Sequence, residues 1–256
     1  MSVFLERQKV RKQKAVIRSM RRLKRTVTSF LIVGSGCALL YAAYLVIFSS
    51  PLFAVREILV RGTWKHIDAD ALAKLSGVEV GTNLFALDVE TVQQRLHENV
   101  WIRRAAVRRH PPHTLLIFVE EYEPAAIVAA DKLFFIDAEG VVFKLVEAAD
   151  EKGYPVLTGM AATDDERLRQ ALEIATTADR MSPLGHAVIA EVNYHEVRGY
   201  SLVIDTGSPI AILVGNNDIE ERLRNLKMVE EDIRSRGRIW YIVANDPERI
   251  VVRYKG

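Results

Sequence analysis

The 256 residues of this chain include 35 Lys or Arg and 33 Asp or Glu, a formal net charge of +2. This near balance hides two oppositely charged parts, because residues 1–25 carry a net charge of +9 and the remaining residues a net charge of −7. The single cysteine, Cys37, falls inside an apolar run, so the rest of the chain has neither a disulfide nor a thiolate nucleophile.

Residues 27–48 form a run of 22 residues without a charged side chain. As a helix at about 1.5 Å per residue it would cover about 33 Å, enough for a hydrocarbon core of about 30 Å. A cleaved signal peptide is the alternative, but its apolar core is usually shorter, and Pro51 stands where cleavage would be expected. The run therefore predicts a retained single membrane-spanning helix.

The basic residues 1–26 precede this helix and predict a cytoplasmic N-terminus, with attraction to anionic lipid as a further role. Residues 51–256 must then lie outside the cytoplasm, where nucleic acid is not an expected partner.

The next seventy or so residues predict the order strand, helix, helix, strand, strand. Residues 53–62 alternate as a strand does, and Asp68 and Asp88 stand where N-caps precede two helical patterns. Two strand-like runs then flank Pro111-Pro112, a natural hairpin breaker. Two helices on one face of a three-stranded sheet make a compact α+β unit.

Beyond Pro124 the sequence predicts a second α+β domain, dominated by antiparallel strands with two packed helices. The expected elements are a hairpin around Ala138-Glu139-Gly140, a break at 154–159, a helix opened by a capping box Thr163…Glu166, strands near 188–195, 200–205 and 209–214, a helix over 218–237, and strands at 239–244 and 249–254 around the turn 245–248.

Several stretches in this order match a known pattern. They are Asn83-Leu84-Phe85, the Trp101 segment, Arg108-Arg109-His110-Pro111-Pro112, Glu120-Glu121-Tyr122-Glu123-Pro124, "FFIDAEGVVF" (134–143) and "YPVLTG" (154–159). Together they resemble the POTRA (polypeptide-transport-associated) domain and following β-domain of the bacterial cell-division family FtsQ/DivIB. The resemblance implies a cytoplasmic tail (1–26), a membrane helix (27–48), a POTRA domain of βααββ order (53–122) and a C-terminal β-domain (123–256).

The resemblance also implies a function. It implies a septal scaffold of the inner membrane, without enzymatic activity, cofactor, metal or small-molecule substrate, that binds bitopic division proteins of the FtsB and FtsL type and helps recruit or regulate septal peptidoglycan synthesis. In the family the main partner surface lies on the last strands. On this chain those strands supply Trp240, Ile242, Ala244, Arg249, Ile250, Val251, Val252, Arg253 and Tyr254.

Two features qualify that region. The family often has an Asp-Leu-Arg-Tyr-like run where this chain reads Ile242-Val243-Ala244-Asn245, so the resemblance carries over the region rather than individual contacts. A terminal strand at a sheet edge can accept a partner strand by β-augmentation. Its Arg249, Arg253 and Lys255 could instead be the charges that proteins place on edges to prevent pairing.

Asp205-Thr206-Gly207-Ser208 matches the active-site loop of aspartic proteases. Such proteases share one proton between two carboxylates, and this chain has a single Asp-Thr-Gly. Because Asp, Gly, Ser and Pro between apolar runs are also typical of a tight turn, the motif predicts a hairpin. A membrane-anchored protease using Asp205 remains the alternative. A POTRA-bearing export or assembly factor is another, although such proteins usually carry tandem copies or a barrel.

Other candidate groups are weaker. The six histidines show no short metal-ligand spacing, although His110 and His113 bracket the diproline turn. Arg104 and Arg108 share one face of an extended strand, opposite Ala105 and Val107. That face is either solvated or a secondary docking surface for an acidic partner or lipid head groups.

Overall fold

The protein is described from a computed structural model, which covers Lys24 and residues 28–185, 188–246 and 248–255. Among these residues one helix, α1 (Thr28–Ser49), is long and apolar enough to span a membrane, with a mean hydropathy of 2.2. Its position agrees with the predicted span over 27–48. Apart from Lys24, the predicted basic tail lies outside the described residues.

Two compact units make up the chain. Of the described residues, the first unit contains those up to Gly62 with 67–96 and 105–119, and the second contains 63–66, 97–104 and those from Glu120 onward.

The elements after α1 follow the predicted βααββ order. They are β1 (Glu57–Thr63), α2 (Ala69–Leu75), α3 (Val89–His97), β2 (Ile102–His110) and β3 (Thr114–Glu121). The strands form a sheet in the order β1-β3-β2, so β1 and β2 are its edges.

Both predicted helix caps are present in this region. The Asp68 carboxylate accepts a hydrogen bond from the Ala71 N–H at 2.6 Å, and the Asp88 carboxylate accepts one from the Glu90 N–H at 3.0 Å. Leu72 on α2 is fully buried. Capping and one apolar face are therefore sufficient to explain these short helices.

The first strand begins later than the predicted 53–62. Residues Pro51–Phe53 form a turn of 3-10 helix, and β1 starts only at Glu57. The Ser50 hydroxyl accepts a hydrogen bond from the Leu52 N–H at 3.2 Å. Proline suits the first position of such a turn, because its φ is already fixed near the required value.

The remaining elements build one nine-stranded sheet with helices. They are β4 (Ala126–Ala129), β5 (Leu133–Ile136), β6 (Val142–Leu145), β7 (Val156–Thr158), α4 (Asp165–Met181), β8 (Val188–His195), β9 (Gly199–Asp205), β10 (Pro209–Gly215), α5 (Ile219–Met228), α6 (Glu230–Ser235), β11 (Ile239–Asp246) and β12 (Arg249–Tyr254). The strand order is β12-β11-β10-β9-β8-β7-β4-β5-β6.

Most neighbouring strands in this sheet are antiparallel, as predicted. The pairs β4–β7, β7–β8 and β10–β11 are parallel. The predicted break at 154–159 is wrong, because β7 lies there between β4 and β8. Its Leu157 is fully buried, and the strand was missed because parallel neighbours leave no hairpin turn in the sequence.

The helix predicted over 218–237 is in fact two helices. Val229 separates α5 from α6 with φ −103° and ψ 5°, and it is 38% exposed rather than on the buried face. Valine is a weak helix former, and the next three residues are acidic, which favours the start of a new helix there.

The predicted capping box is also wrong, because Asp164 caps α4 by accepting from the Arg167 N–H at 3.3 Å.

The core of the second unit lies between these helices and one face of the sheet. Leu168, Leu202 and Ile212 are fully buried in it. The opposite face of the sheet carries exposed or half-buried side chains along β10, β11 and β12, among them Leu213, Val243 and Val251.

Candidate partner-binding surface

Strand β12 is an edge of the nine-stranded sheet, as the sequence predicts. It pairs antiparallel with β11, with Val252 opposite Ile242 and Val251 opposite Val243. The Lys255 N–H donates to the Arg238 carbonyl at 2.8 Å, on the β11 side. Because successive residues of a strand point their N–H groups to opposite sides, Val252 and Tyr254 direct theirs away from β11.

The side chains of β12 alternate between the two faces of the sheet. Ile250, Val252 and Tyr254 are half-buried and pack against the core. Arg249, Val251 and Arg253 are exposed, Val251 by 42%. The predicted set on this strand is therefore divided between residues that anchor the strand and residues that face solvent.

Strand β11 departs from simple alternation. A register shift lies between Ile239 and Tyr241, so Trp240 is 50% exposed while Ile242 and Ala244 are 0% and 1% exposed. The sequence pattern places Trp240, Ile242 and Ala244 on one face, but the bulge turns only Trp240 outward. Ile242 and Ala244 lie in the core, so they can support the surface only by holding β11 in place.

The outer face includes side chains that the sequence analysis did not select. Leu213 on β10 pairs in register with Val243, which in turn pairs with Val251, forming an apolar row across three strands. Tyr241 and Leu213 also line a groove of about 520 Å³ on this face. Alternation along β10 could have identified Leu213, whereas the bulge conceals Tyr241 and Val243.

Two cations stand at this edge. The Arg253 guanidinium lies 5.3 Å from the centre of the Trp240 ring. The Trp240 ring in turn packs edge-to-face against the Tyr241 ring, with the ring centres 5.2 Å apart. Within the described part of the chain, neither Arg249 nor Arg253 has an acidic group within 4 Å. The edge can therefore offer hydrogen bonds and positive charge to an incoming acidic strand.

The second predicted surface lies on β2. Arg104 and Arg108 are exposed and Ala105 and Val107 buried, as the alternation predicts. Arg104 lies 3.7 Å from Glu120, with its side chain 73% exposed.

The neighbouring arginines of β2 are bound to the protein. Arg109 donates to the Leu84 carbonyl at 2.9 Å and to the Leu87 carbonyl at 2.5 Å. Arg103 lies 3.1 Å from Glu139, and this hydrogen bond lowers the pKa of the Glu139 carboxyl below its ordinary value.

Asp205 occupies a hairpin between β9 and β10, as predicted. Its carboxylate accepts a hydrogen bond from the Gly207 N–H at 2.8 Å, and Gly207 has a φ of +89°. That bond is the side-chain-to-backbone contact of a tight turn. Within the described residues, no three His, Cys, Asp or Glu side chains gather as metal ligands would.

Comparison with known proteins gives two family matches. The family described as "POTRA domain, FtsQ-type" matches residues 53–122, and "Cell division protein FtsQ/DivIB, C-terminal" matches residues 126–246.

Curated proteins give the same result. A protein of Syntrophotalea carbinolica named "Cell division protein FtsQ" is 32% identical over 81% of this chain and 76% of its own length. Proteins with the same name from Geotalea daltonii and from Geobacter sp. are 26% and 28% identical, over 87% and 74% of this chain and 83% and 72% of their own lengths.

Proposed function

Because the chain belongs to the FtsQ/DivIB family of cell-division proteins, we propose that it is a septal scaffold that captures partner strands at β12. Members of this family are division scaffold proteins and not known enzymes, so the protease interpretation of Asp205 is wrong. Membership of this cell-division family also argues against the alternative of a POTRA-bearing export or assembly factor.

The observation that carries the proposal is the combination of the edge strand β12 with two arginines that have no acidic partner within the described part of the chain. An additional strand on β12 would satisfy the outward N–H and C=O groups of Val252 and Tyr254. Arg249 and Arg253 would then lie beside it, which favours a strand bearing Asp or Glu and disfavours one bearing Lys or Arg. Bitopic division proteins of the FtsB and FtsL type are the proposed source of that strand.

The proposal includes a topology and a place in the cell. The N-terminus lies in the cytoplasm, and the two compact units lie on the far side of the inner membrane, in agreement with the charge in front of α1. The protein collects at the division septum, where it helps to recruit or regulate peptidoglycan synthesis. Imaging of a tagged full chain in dividing cells tests this part, and an even distribution around the membrane would contradict it.

Replacing Val252 by proline tests the binding mode. Val252→Pro removes an N–H that points away from β11 and places a ring where the partner strand would lie. We expect co-purification with the small bitopic partner to weaken by roughly tenfold or more, since one lost hydrogen bond and a steric block act together.

The matched control is Val252→Ala, which removes more of the side chain than the proline does but keeps the N–H. It should retain most of the binding, and circular dichroism should show that both variants are folded. Equal binding by a folded Val252→Pro variant would refute strand addition at β12.

A further inference from the structure

The end of the membrane helix is tied to the unit that follows it. The Asn83 side-chain amide donates to the Ile47 carbonyl, in the last turn of α1, at 2.9 Å. The amide oxygen of Asn83 accepts from the Phe85 N–H at 2.9 Å, which fixes the side chain from its other end. Asn83 thus joins the loop before α3 to a carbonyl that would otherwise lack a helical partner.

Backbone hydrogen bonds reinforce this junction. The Val55 N–H donates to the Thr82 carbonyl at 2.8 Å, and the Val55 carbonyl accepts from the Gly81 N–H at 2.7 Å. The Leu84 N–H donates to the Phe53 carbonyl at 2.7 Å. Residues 50–55 and 80–85 are therefore held together as one structure beside the end of α1.

Two large apolar side chains are exposed on this junction. Leu52 is 64% exposed in the 3-10 turn, and Val80 is 70% exposed beside Gly81. Leu52 follows the last residue of α1 by three positions, and three residues span at most about 10 Å. The head-group layer on each side of a bilayer is about 5 to 8 Å thick, so Leu52 cannot lie far beyond it.

We propose that the bilayer spanned by α1 covers Leu52 and Val80, which insert at the boundary between head groups and acyl chains. Apolar side chains of interfacial elements are buried there to a depth of about 5 to 10 Å. Leu52 is held at that depth by its closeness to the span, and Val80 by the links from Asn83 to Ile47 and from Gly81 to Val55. The loop 80–85 is thus a membrane-contacting surface that fixes the orientation of the first unit on the lipid.

Spin-label accessibility in nanodiscs tests the proposal. The full chain carrying Cys37→Ser would be labelled at Leu52→Cys, at Val80→Cys or, as control, at Val197→Cys, where the native valine is 85% exposed. These positions are exposed, so the label should not disturb folding. We expect the ratio of oxygen to nickel-chelate accessibility at Leu52 and Val80 to be severalfold higher than at Val197.

The possible outcomes show whether lipid, solvent or a second protein chain covers Leu52 and Val80. Labels at Leu52 and Val80 that are as accessible to the nickel chelate as the label at Val197 would overturn the proposal. Protection that occurs only in discs holding two copies would also overturn it, because a second chain would then be the cover. Adding Asn83→Ala should make the label at Val80 more aqueous and leave Leu52 unchanged, and an unchanged Val80 signal would refute the role of Asn83.

Discussion

Strands β2 and β12 are both sheet edges that alternate arginines with apolar residues, but they use their arginines differently. On β2, Arg103 and Arg109 bind acidic groups or carbonyls of the protein itself. On β12, neither Arg249 nor Arg253 has an acidic group within 4 Å in the described part of the chain.

This difference teaches how to interpret an arginine-rich edge. An arginine that already binds a carboxylate or carbonyl of its own protein stabilises the fold and has little left to offer a partner. An arginine without such a partner, beside outward-facing backbone groups, is available for binding. The number of arginines on a strand does not distinguish these cases. Their intramolecular contacts do.

The largest expected effect is a loss of stability on replacing a buried residue of β11, the strand that holds β12. Ile242→Ala should lower the free energy of unfolding by about 2 to 5 kcal/mol, because Ile242 is fully buried and the cavity would not fill. Val243 is the next residue of β11 and is only half-buried, so Val243→Ala should lower the free energy of unfolding clearly less. Denaturation of the full chain in detergent, followed by circular dichroism, measures both. Equal losses would contradict the inward orientation of Ile242.

The structural role of β2 can be tested at two adjacent arginines. Arg109→Ala should cost about 1 to 2 kcal/mol of unfolding free energy, because two backbone carbonyls lose their donor. Arg108→Ala should stay within about 0.5 kcal/mol, as expected for an exposed side chain. The same denaturation experiment compares the two variants. Equal stability of both would contradict the structural role of Arg109 and with it the contrast between β2 and β12.

Arg253 should behave in the opposite way. Arg253→Ala should weaken partner binding several-fold at low salt and less at high salt, because screening already reduces the attraction. It should change stability by at most about 1 kcal/mol, the size of an exposed cation–π contact. Binding measured at two salt concentrations decides this, and a stability loss without a binding loss would place Arg253 in the same class as Arg109.

The smallest expected effect concerns Arg103 and Glu139. Arg103 lowers the pKa of Glu139, so the pair stabilises the fold above the carboxyl's unfolded pKa and loses that contribution as pH falls through the folded pKa. Arg103→Gln should raise the pKa of Glu139 towards its ordinary value, which a titration followed by NMR would detect. An unchanged pKa of Glu139 would show that Arg103 does not bind this carboxylate, and Arg103 would then no longer count among the β2 arginines bound to the protein itself.

Local patterns explain which parts of the fold could be predicted. Asp68 and Asp88 cap helices, Ala105 and Val107 are buried between exposed arginines, and Asp205 forms a turn, because each outcome depends on residues close in sequence. The family resemblance supplied the expectation of a POTRA domain, which the family match over residues 53–122 confirms, while the partner surface on the last strands stays a prediction.

The features that sequence reasoning missed depend on distant neighbours. Strand β7 exists because β4 and β8 flank it, and the bulge before Tyr241 takes its form from pairing with β12. The bond from Asn83 to Ile47 joins residues 36 positions apart. Motif spacing contains none of this information, so Asn83 could be selected as a family residue but not as a tie to the membrane helix.

The bulge in β11 has an optical consequence. It turns the indole of Trp240 half out of the sheet, next to the edge where a strand would add, and only three tryptophans are present in the chain. A strand that excludes water from this indole should shift its fluorescence emission to shorter wavelength. Under the proposed strand addition at β12, this shift would report occupancy of the edge, so titrations could be followed without attaching a dye.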